Sequence, residues 1–195
     1  MVGRIYRGIG YLIYYILNFN KFGYLGFPPR IIKPLQIDGK KNIFISKNTI
    51  IAEGSWIAAM PINDEVKSRL VIGKGCRLGH FNHIYASKSI VIEDCVLTAD
   101  RVYISDNLHE YEDINKPILE QPIRQCSEVV IGEGSWIGEN VCIIGSSVGK
   151  HCVIGANSVV TKSIPDYSVA VGSPARVIKK YCTQSKAWIK IQTNE

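Results

Sequence analysis

Aliphatic residues return every six positions along most of this chain. The first position of the repeat reads Ile45, Ile51, Ile57, then Ile72, Leu78, Ile84, then Ile92, Thr98, Ile104. After a gap it reads Ile131, Ile137, Ile143, Val148, Ile154. The fifth position is small: Thr49, Ser55, Cys76, Val96, Val102, Ser135, Val141, Cys152, Ser158. A period of six matches neither an amphipathic helix nor plain strand alternation. It fits a short extended segment followed by a corner. Three such segments close one triangular coil of about eighteen residues, and coils stack as a parallel β-solenoid. The aliphatic side chain then fills the prism, and the small residue points inward beside a corner. Cys76 and Cys152 are thus interior residues, not ligands. Gly or Ala at position two, as in "IGKGCR", "IGEGSW" and "IGANSV", is expected to ease the bend.

The period breaks three times. The segment 143–147 is one residue short, and 61–70 replaces most of one turn, so both read as distorted corners or a small loop. The third break is long, from Ser105 to Ser127, and opens "SDNLHEYEDINKPILEQP". Long loops without their own structure are usually functional or disordered, and rigid scaffolds carry function on loops. A lone histidine, His109, stands near its start. An imidazole can take the proton of a weakly nucleophilic hydroxyl at neutral pH. Asp106 and Glu112 are candidates to fix its tautomer.

The expected organisation is a capping segment at 1–35, a β-helix at 36–165 interrupted by the loop 105–127, and a tail at 166–195. A helix is expected from Tyr6 to Asn18, broken by "GFPPR", and a short helix near the end through Tyr181 and Trp188.

Composition narrows the picture modestly. The chain has 195 residues, 46% hydrophobic and 21% charged, which suits one soluble domain with a real core. A formal charge of +6 suits an anionic ligand, a nucleic acid or an anionic membrane. Nucleic acid has little support, because no aromatic platform lies among the basic residues. Six cysteines without a CxxC pair read as reduced thiols in a cytoplasmic protein. The run "IGYLIYYILNF" is too short to span a bilayer, which takes about 20 apolar residues. No small-residue cleavage site follows it. It reads either as a helix packed on the main domain or as one lying on a membrane surface, with contact through residues 1–20.

The repeats over roughly 43–180 resemble the hexapeptide-repeat acyltransferases, which implies a mainly β fold, a left-handed parallel β-helix. The ordered set "VYISDNLHEYED", "VVIGEGSWIGENV", "VIGANSVVTKSIP" and "VGSPARVIKKY" is similar to the sugar O-acetyltransferases. It is closest to the O-antigen and capsular polysaccharide enzymes, in which a Ser-Asp-x-x-His stretch opens the loop. The resemblance implies an acetyl-CoA-dependent O-acetyltransferase for a sugar hydroxyl, with His109 as catalytic base. It implies acceptor contacts near His80, His83, Asp106 and Asn107. His80 stands where relatives place Asn or Asp, and Asn107 where many carry a second histidine. It implies acetyl-CoA contacts at Trp136, Gly138, Glu139, Ala156, Ser158, Thr161, Arg176 and Lys179. Arg176, Lys179 and Lys180 would face its phosphates; Glu139 departs from the small polar residue usual at its place. It further implies a homotrimer with sites between subunits, working in the cytoplasm at the inner face of the membrane, and no metal. No cysteine is placed for an acyl-enzyme, so direct transfer is expected. Three other readings stay open: an amino-sugar N-acetyltransferase, a γ-type carbonic anhydrase using His80, His83 and His109, and a non-catalytic scaffold.

Overall fold

The computed structural model describes residues 2–63 and 67–191, with side chains from residue 9 onward. Part of the expected 61–70 insertion and the end of the tail lie outside the described residues, as do the side chains of the first turns of the N-terminal helix.

The chain winds as a left-handed prism whose three faces are parallel sheets. The first face stacks Tyr24–Leu25, Ile43–Ile45, Arg69–Ile72, Ser89–Ile92 and Val129–Ile131. The second stacks Arg30–Ile31, Ile50–Ile51, Arg77–Leu78, Leu97–Thr98, Trp136–Ile137, Val153–Ile154 and Ser168–Val171. The third stacks Gln36–Asp38, Trp56–Ala59, His83–Ala86, Tyr103–Ser105, Cys142–Ile144 and Val159–Val160.

Position one forms three interior ladders, one per face. On the third face Ile37, Ile57, Ile84, Ile104, Ile143 and Val160 lie in register. From Ile57 to Val160 every rung of that ladder is fully buried. Each buried aliphatic side chain contributes about 1.5–3 kcal/mol, which makes the ladders the main source of stability. Position five is buried throughout, from Thr49 to Ser158. Its hydroxyls are bonded to corner carbonyls, as Thr49 Oγ1 is to Gly73 O at 2.6 Å and Ser135 Oγ to Gly149 O at 2.7 Å. Buried hydroxyls need such partners.

The corners work differently from expectation. The bend itself sits at position four, where Asn48, Gly54, Gly75, Phe81, Cys95, Arg101, Gly134, Asn140, His151 and Asn157 all have positive φ. Asn and Gly tolerate that region best. Position-two glycines have no such φ; they are small because corners stack backbone on backbone. A Cβ on Gly79 would lie 2.4 Å from Ala99 O, and one on Gly138 2.7 Å from Ala156 N. Gly79→Ala must therefore push two coils apart. Thermal melting followed by circular dichroism should show a loss of about 1–3 kcal/mol; an unchanged melt would mean that the corner has slack.

Three boundaries differ from the sequence reading. The helix runs Val2–Asn18, so it ends well before "GFPPR"; that segment instead turns the first corner of the first coil. The prism starts at Tyr24, inside the expected cap, because Leu25 and Ile31 already occupy ladder positions. It also continues past 165, since Ser168–Val171 still pairs in parallel with Val153–Ile154. Finally, the expected C-terminal helix is a hairpin. Arg176–Cys182 pairs antiparallel with Ser168–Val171 and with Ala187–Lys190. Tyr181 and Trp188 face each other across it with ring centroids 5.6 Å apart. An open solenoid end exposes unpaired strand edge, and the lysine-rich hairpin covers it.

Candidate active site

The long interruption is a two-stranded arm. Asn107–His109 pairs antiparallel with Ile123–Gln125, setting His109 opposite Ile123. The tip holds one short 3-10 turn, Ile118–Glu120. Gln121 staples the tip by donating from Nε2 to the carbonyls of Asp113 at 2.9 Å and Lys116 at 3.0 Å.

Asp106 anchors the arm's root. Its carboxylate accepts from the backbone N–H groups of Ser87 at 2.7 Å, Lys88 at 2.8 Å and Ser89 at 2.7 Å, and from Ser87 Oγ at 2.7 Å. It is fully buried. Burial alone would raise its pKa, but the Ser87, Lys88 and Ser89 donors outweigh that and hold it below the usual carboxylate value. Three successive N–H groups around an anion form a nest. Asp106 therefore has no free lone pair to offer an acceptor or His109, which corrects its expected role. Glu112 is engaged elsewhere, with Arg124 at 3.3 Å.

The arm leans over the third face and makes a cleft of about 260 Å³ lined by Trp56, His83, Tyr85, Tyr103, Asn107, Leu108, His109 and Ile123. Among the described residues no side chain hydrogen-bonds the His109 ring, which is exposed toward the opening. Opposite it lies an aromatic ladder. The His83 ring stacks on Trp56 with centroids 4.3 Å apart and planes 6° from parallel, and Tyr103 follows at 5.1 Å. Trp56 donates from Nε1 to Asp38 at 2.8 Å, which fixes the indole. Burial pushes the His83 pKa down, and its Nε2 is buried with no hydrogen-bond partner among the described residues. Tyr85 is pushed up by burial and then by the charges of Asp38 and Asp106.

Of the expected acceptor residues, the cleft gathers His83 and Asn107 beside His109 but not His80. That residue turns at a corner, where its N–H donates to Asp100 at 2.7 Å and its ring Nδ1 lies 3.2 Å from the same oxygen. Trp56, Tyr85 and Tyr103 went unread in the sequence. Trp56, His83 and Tyr103 all occupy position six of their hexads, so the stacked register would have found them.

The expected acetyl-CoA residues form two groups. Trp136 and Lys179 lie on one outward line of the second face, joined through Val153 and Val169. Gly138, Glu139 and Ala156 share a corner edge, where Asn157 N donates to Glu139 O at 2.8 Å. Glu139 pairs with Arg101 at 2.7 Å, which neutralises it. Ala156, Thr161 and Arg176 are exposed. Ser158 is not available: its buried hydroxyl donates to Gly155 O at 2.7 Å and accepts from Gly172 N at 3.0 Å. This agrees with its fifth position in the hexad, which points into the prism, so the hydroxyl is not offered to acetyl-CoA.

Residues 128–162 match the bacterial transferase hexapeptide model. A Saccharomyces cerevisiae protein named as an acetyltransferase is 37% identical over 151 residues, covering 73% of this chain and 72% of that one. The chain belongs to the hexapeptide-repeat transferase family. Another family member, a Mycobacterium tuberculosis protein named as an acetyltransferase, is 47% identical over 103 residues, 52% of this chain and 34% of that one. The Escherichia coli protein WbbJ, named for lipopolysaccharide biosynthesis and O-acetyl transfer, is 37% identical over 121 residues, 58% of this chain and 62% of that one. The chain thus spans about a third of the mycobacterial relative and under two thirds of WbbJ. Among solved structures, a serine-to-alanine variant of AntD, an N-acyltransferase from Bacillus cereus, shares the fold with TM-score 0.71 and 20% identity. It covers 87% of this chain and 89% of that one, and was solved with dTDP-4-amino-4,6-dideoxyglucose and coenzyme A.

Proposed function

We propose that this protein transfers an acetyl group from acetyl-CoA to a sugar hydroxyl during assembly of a surface polysaccharide. The observation that carries this reading is the cleft, which brings the exposed His109 together with the Trp56–His83–Tyr103 ladder. An apolar wall of aromatic rings suits the C–H groups of a pyranose, and a few polar groups at the rim fix orientation. In this mechanism His109 takes the proton of the acceptor hydroxyl as its oxygen attacks the thioester carbonyl. A C–O bond forms, the C–S bond breaks, and the proton passes to the departing CoA sulfur. The names of WbbJ and the yeast and mycobacterial relatives support acetyl transfer, and WbbJ's name supports the surface glycan.

The cation-bearing hairpin with Arg176 and Lys179 would receive the CoA phosphates. A trimer would complete the site. Ile114 and Leu119 at the arm tip are 94% and 90% exposed, and Trp136 is 49% exposed, which suits cover by a neighbour. Light scattering tests the trimer.

The test of function is CoA release from acetyl-CoA against a panel of free, nucleotide-linked and lipid-linked sugars, with amino sugars included. Hydroxyl-dependent release supports O-transfer. Release with amino sugars alone would replace it by N-acyl transfer, and no acceptor-dependent release would sink both. Trp56→Ala removes the first rung of the wall. It should raise the acceptor KM about two- to tenfold, the worth of one aromatic contact, with kcat changed much less. An unchanged KM would place the acceptor elsewhere.

A further inference from the structure

The N-terminal helix Val2–Asn18 packs inside out. Tyr11, Tyr14, Tyr15 and Asn18 face the prism and are only half-exposed. Tyr14 and Tyr15 touch the core, Tyr15 lies edge-on to Phe27 at 5.2 Å, and Asn18 Oδ1 meets Lys40 Nζ at 3.5 Å. The aliphatic stripe points the other way. Ile9, Leu12, Ile13, Ile16 and Leu17 follow the one-face spacing of a helix and are 45–60% exposed, with Phe19 beyond them at 51%. A helix solvated on that side would show water its tyrosines and asparagine and bury its isoleucines. The outward face is therefore built for an apolar surface.

The charge around it names that surface. Before Asp38 the chain carries Arg4, Arg7, Lys21, Arg30 and Lys33 and no carboxylate. Lys21, Arg30 and Lys33 are exposed, Lys33 in an ion pair with Glu53 at 3.6 Å. Cations close in sequence to an apolar helical stripe, with no carboxylate among them, match anionic lipid headgroups over acyl chains. No described helix is long and apolar enough to cross a membrane. We propose that this helix lies in the surface of an anionic membrane and holds the prism there. The proposal does not depend on the reading of the cleft.

The test uses the full chain and two vesicle types, phosphatidylcholine alone and phosphatidylcholine mixed equally with phosphatidylglycerol. Wild type should float with the anionic vesicles, less with the neutral ones, and less again at high salt. The double variant Ile13→Glu, Leu17→Glu changes only exposed positions. It should keep the wild-type melt and lower partitioning to anionic vesicles about 100-fold, the loss of two inserted aliphatic side chains. Light scattering of both proteins without lipid checks the competing occupant. Wild type that stays with the soluble fraction on both vesicles, or a variant that floats as well as wild type, overturns the proposal. A variant whose only change is a smaller assembly also overturns it, by assigning the stripe to another copy of the chain.

Discussion

His109→Ala should lower acceptor-dependent CoA release about 10²–10⁴-fold, the contribution of a positioned general base. The fold should not notice. The ring is exposed, and among the described residues nothing hydrogen-bonds it, so its loss opens no cavity and strands no buried donor. The melt and the affinity for acetyl-CoA should match wild type, because none of the expected donor residues belongs to the arm. That pattern separates a base from a structural histidine: kcat falls, while acetyl-CoA binding and stability hold. The comparison with His83→Ala sharpens it. His83 lies between Trp56 and Tyr103, and burial lowers its pKa. Its removal should disturb the acceptor wall and raise the acceptor KM more than it lowers kcat. If His109→Ala kept full turnover, the base would have to be another group in the cleft, and Tyr85 or His83 would come forward.

The prism was legible in the sequence because its physics repeats. Each coil solves the same problem with the same kind of residue, so Ile45, Ile51 and Ile57, or Ile72, Leu78 and Ile84, announce one another six residues apart. The arm was legible for the opposite reason, as the place where the repeat stops. The aromatic wall was less visible. Trp56, His83 and Tyr103 lie far apart along the chain, and only the stacking of sixth positions makes them neighbours. The ends misled in a different way. Leu25 and Ile31 belong to the ladders, but the corner between them is built from "GFPPR", which hides the period. Arg176–Cys182 carries no hexad, and whether such a segment forms a strand depends on the open edge of Ser168–Val171 beside it. Asp106 shows the limit of reading roles from position. A carboxylate three residues from a candidate base invites a dyad, yet its main partners are N–H groups of the preceding coil, which no local spacing displays.

Asp106 should matter more to stability than to chemistry. Asp106→Ala would take the acceptor from the N–H groups of Ser87, which is buried, and of Lys88 and Ser89, which are partly so. Hydrogen bonds to a buried charge are worth about 1.5–3 kcal/mol each, so the loss should reach about 3 kcal/mol or more. Asp106→Asn should cost less but still heavily, since an amide turns its NH2 toward donors. The two variants, with wild type, also fix the pH dependence. The folded pKa lies below the ordinary carboxylate value near 3.8, so folding is favoured by ionisation. The stabilisation is complete above that value. It is lost as pH falls through the depressed folded pKa. The gap in melting temperature between wild type and Asp106→Asn should therefore be full at neutral pH and shrink only in strong acid. A gap that was absent at neutral pH would show that the nest holds the arm without its anion. Because Gln125 Nε2 and Cys126 N both donate to the Asp106 carbonyl, at 2.7 Å and 2.8 Å, a loosened Asp106 also loosens the returning strand of the arm. His109 sits on the paired strand, so turnover should fall in the Asn variant in step with the loosening of that root.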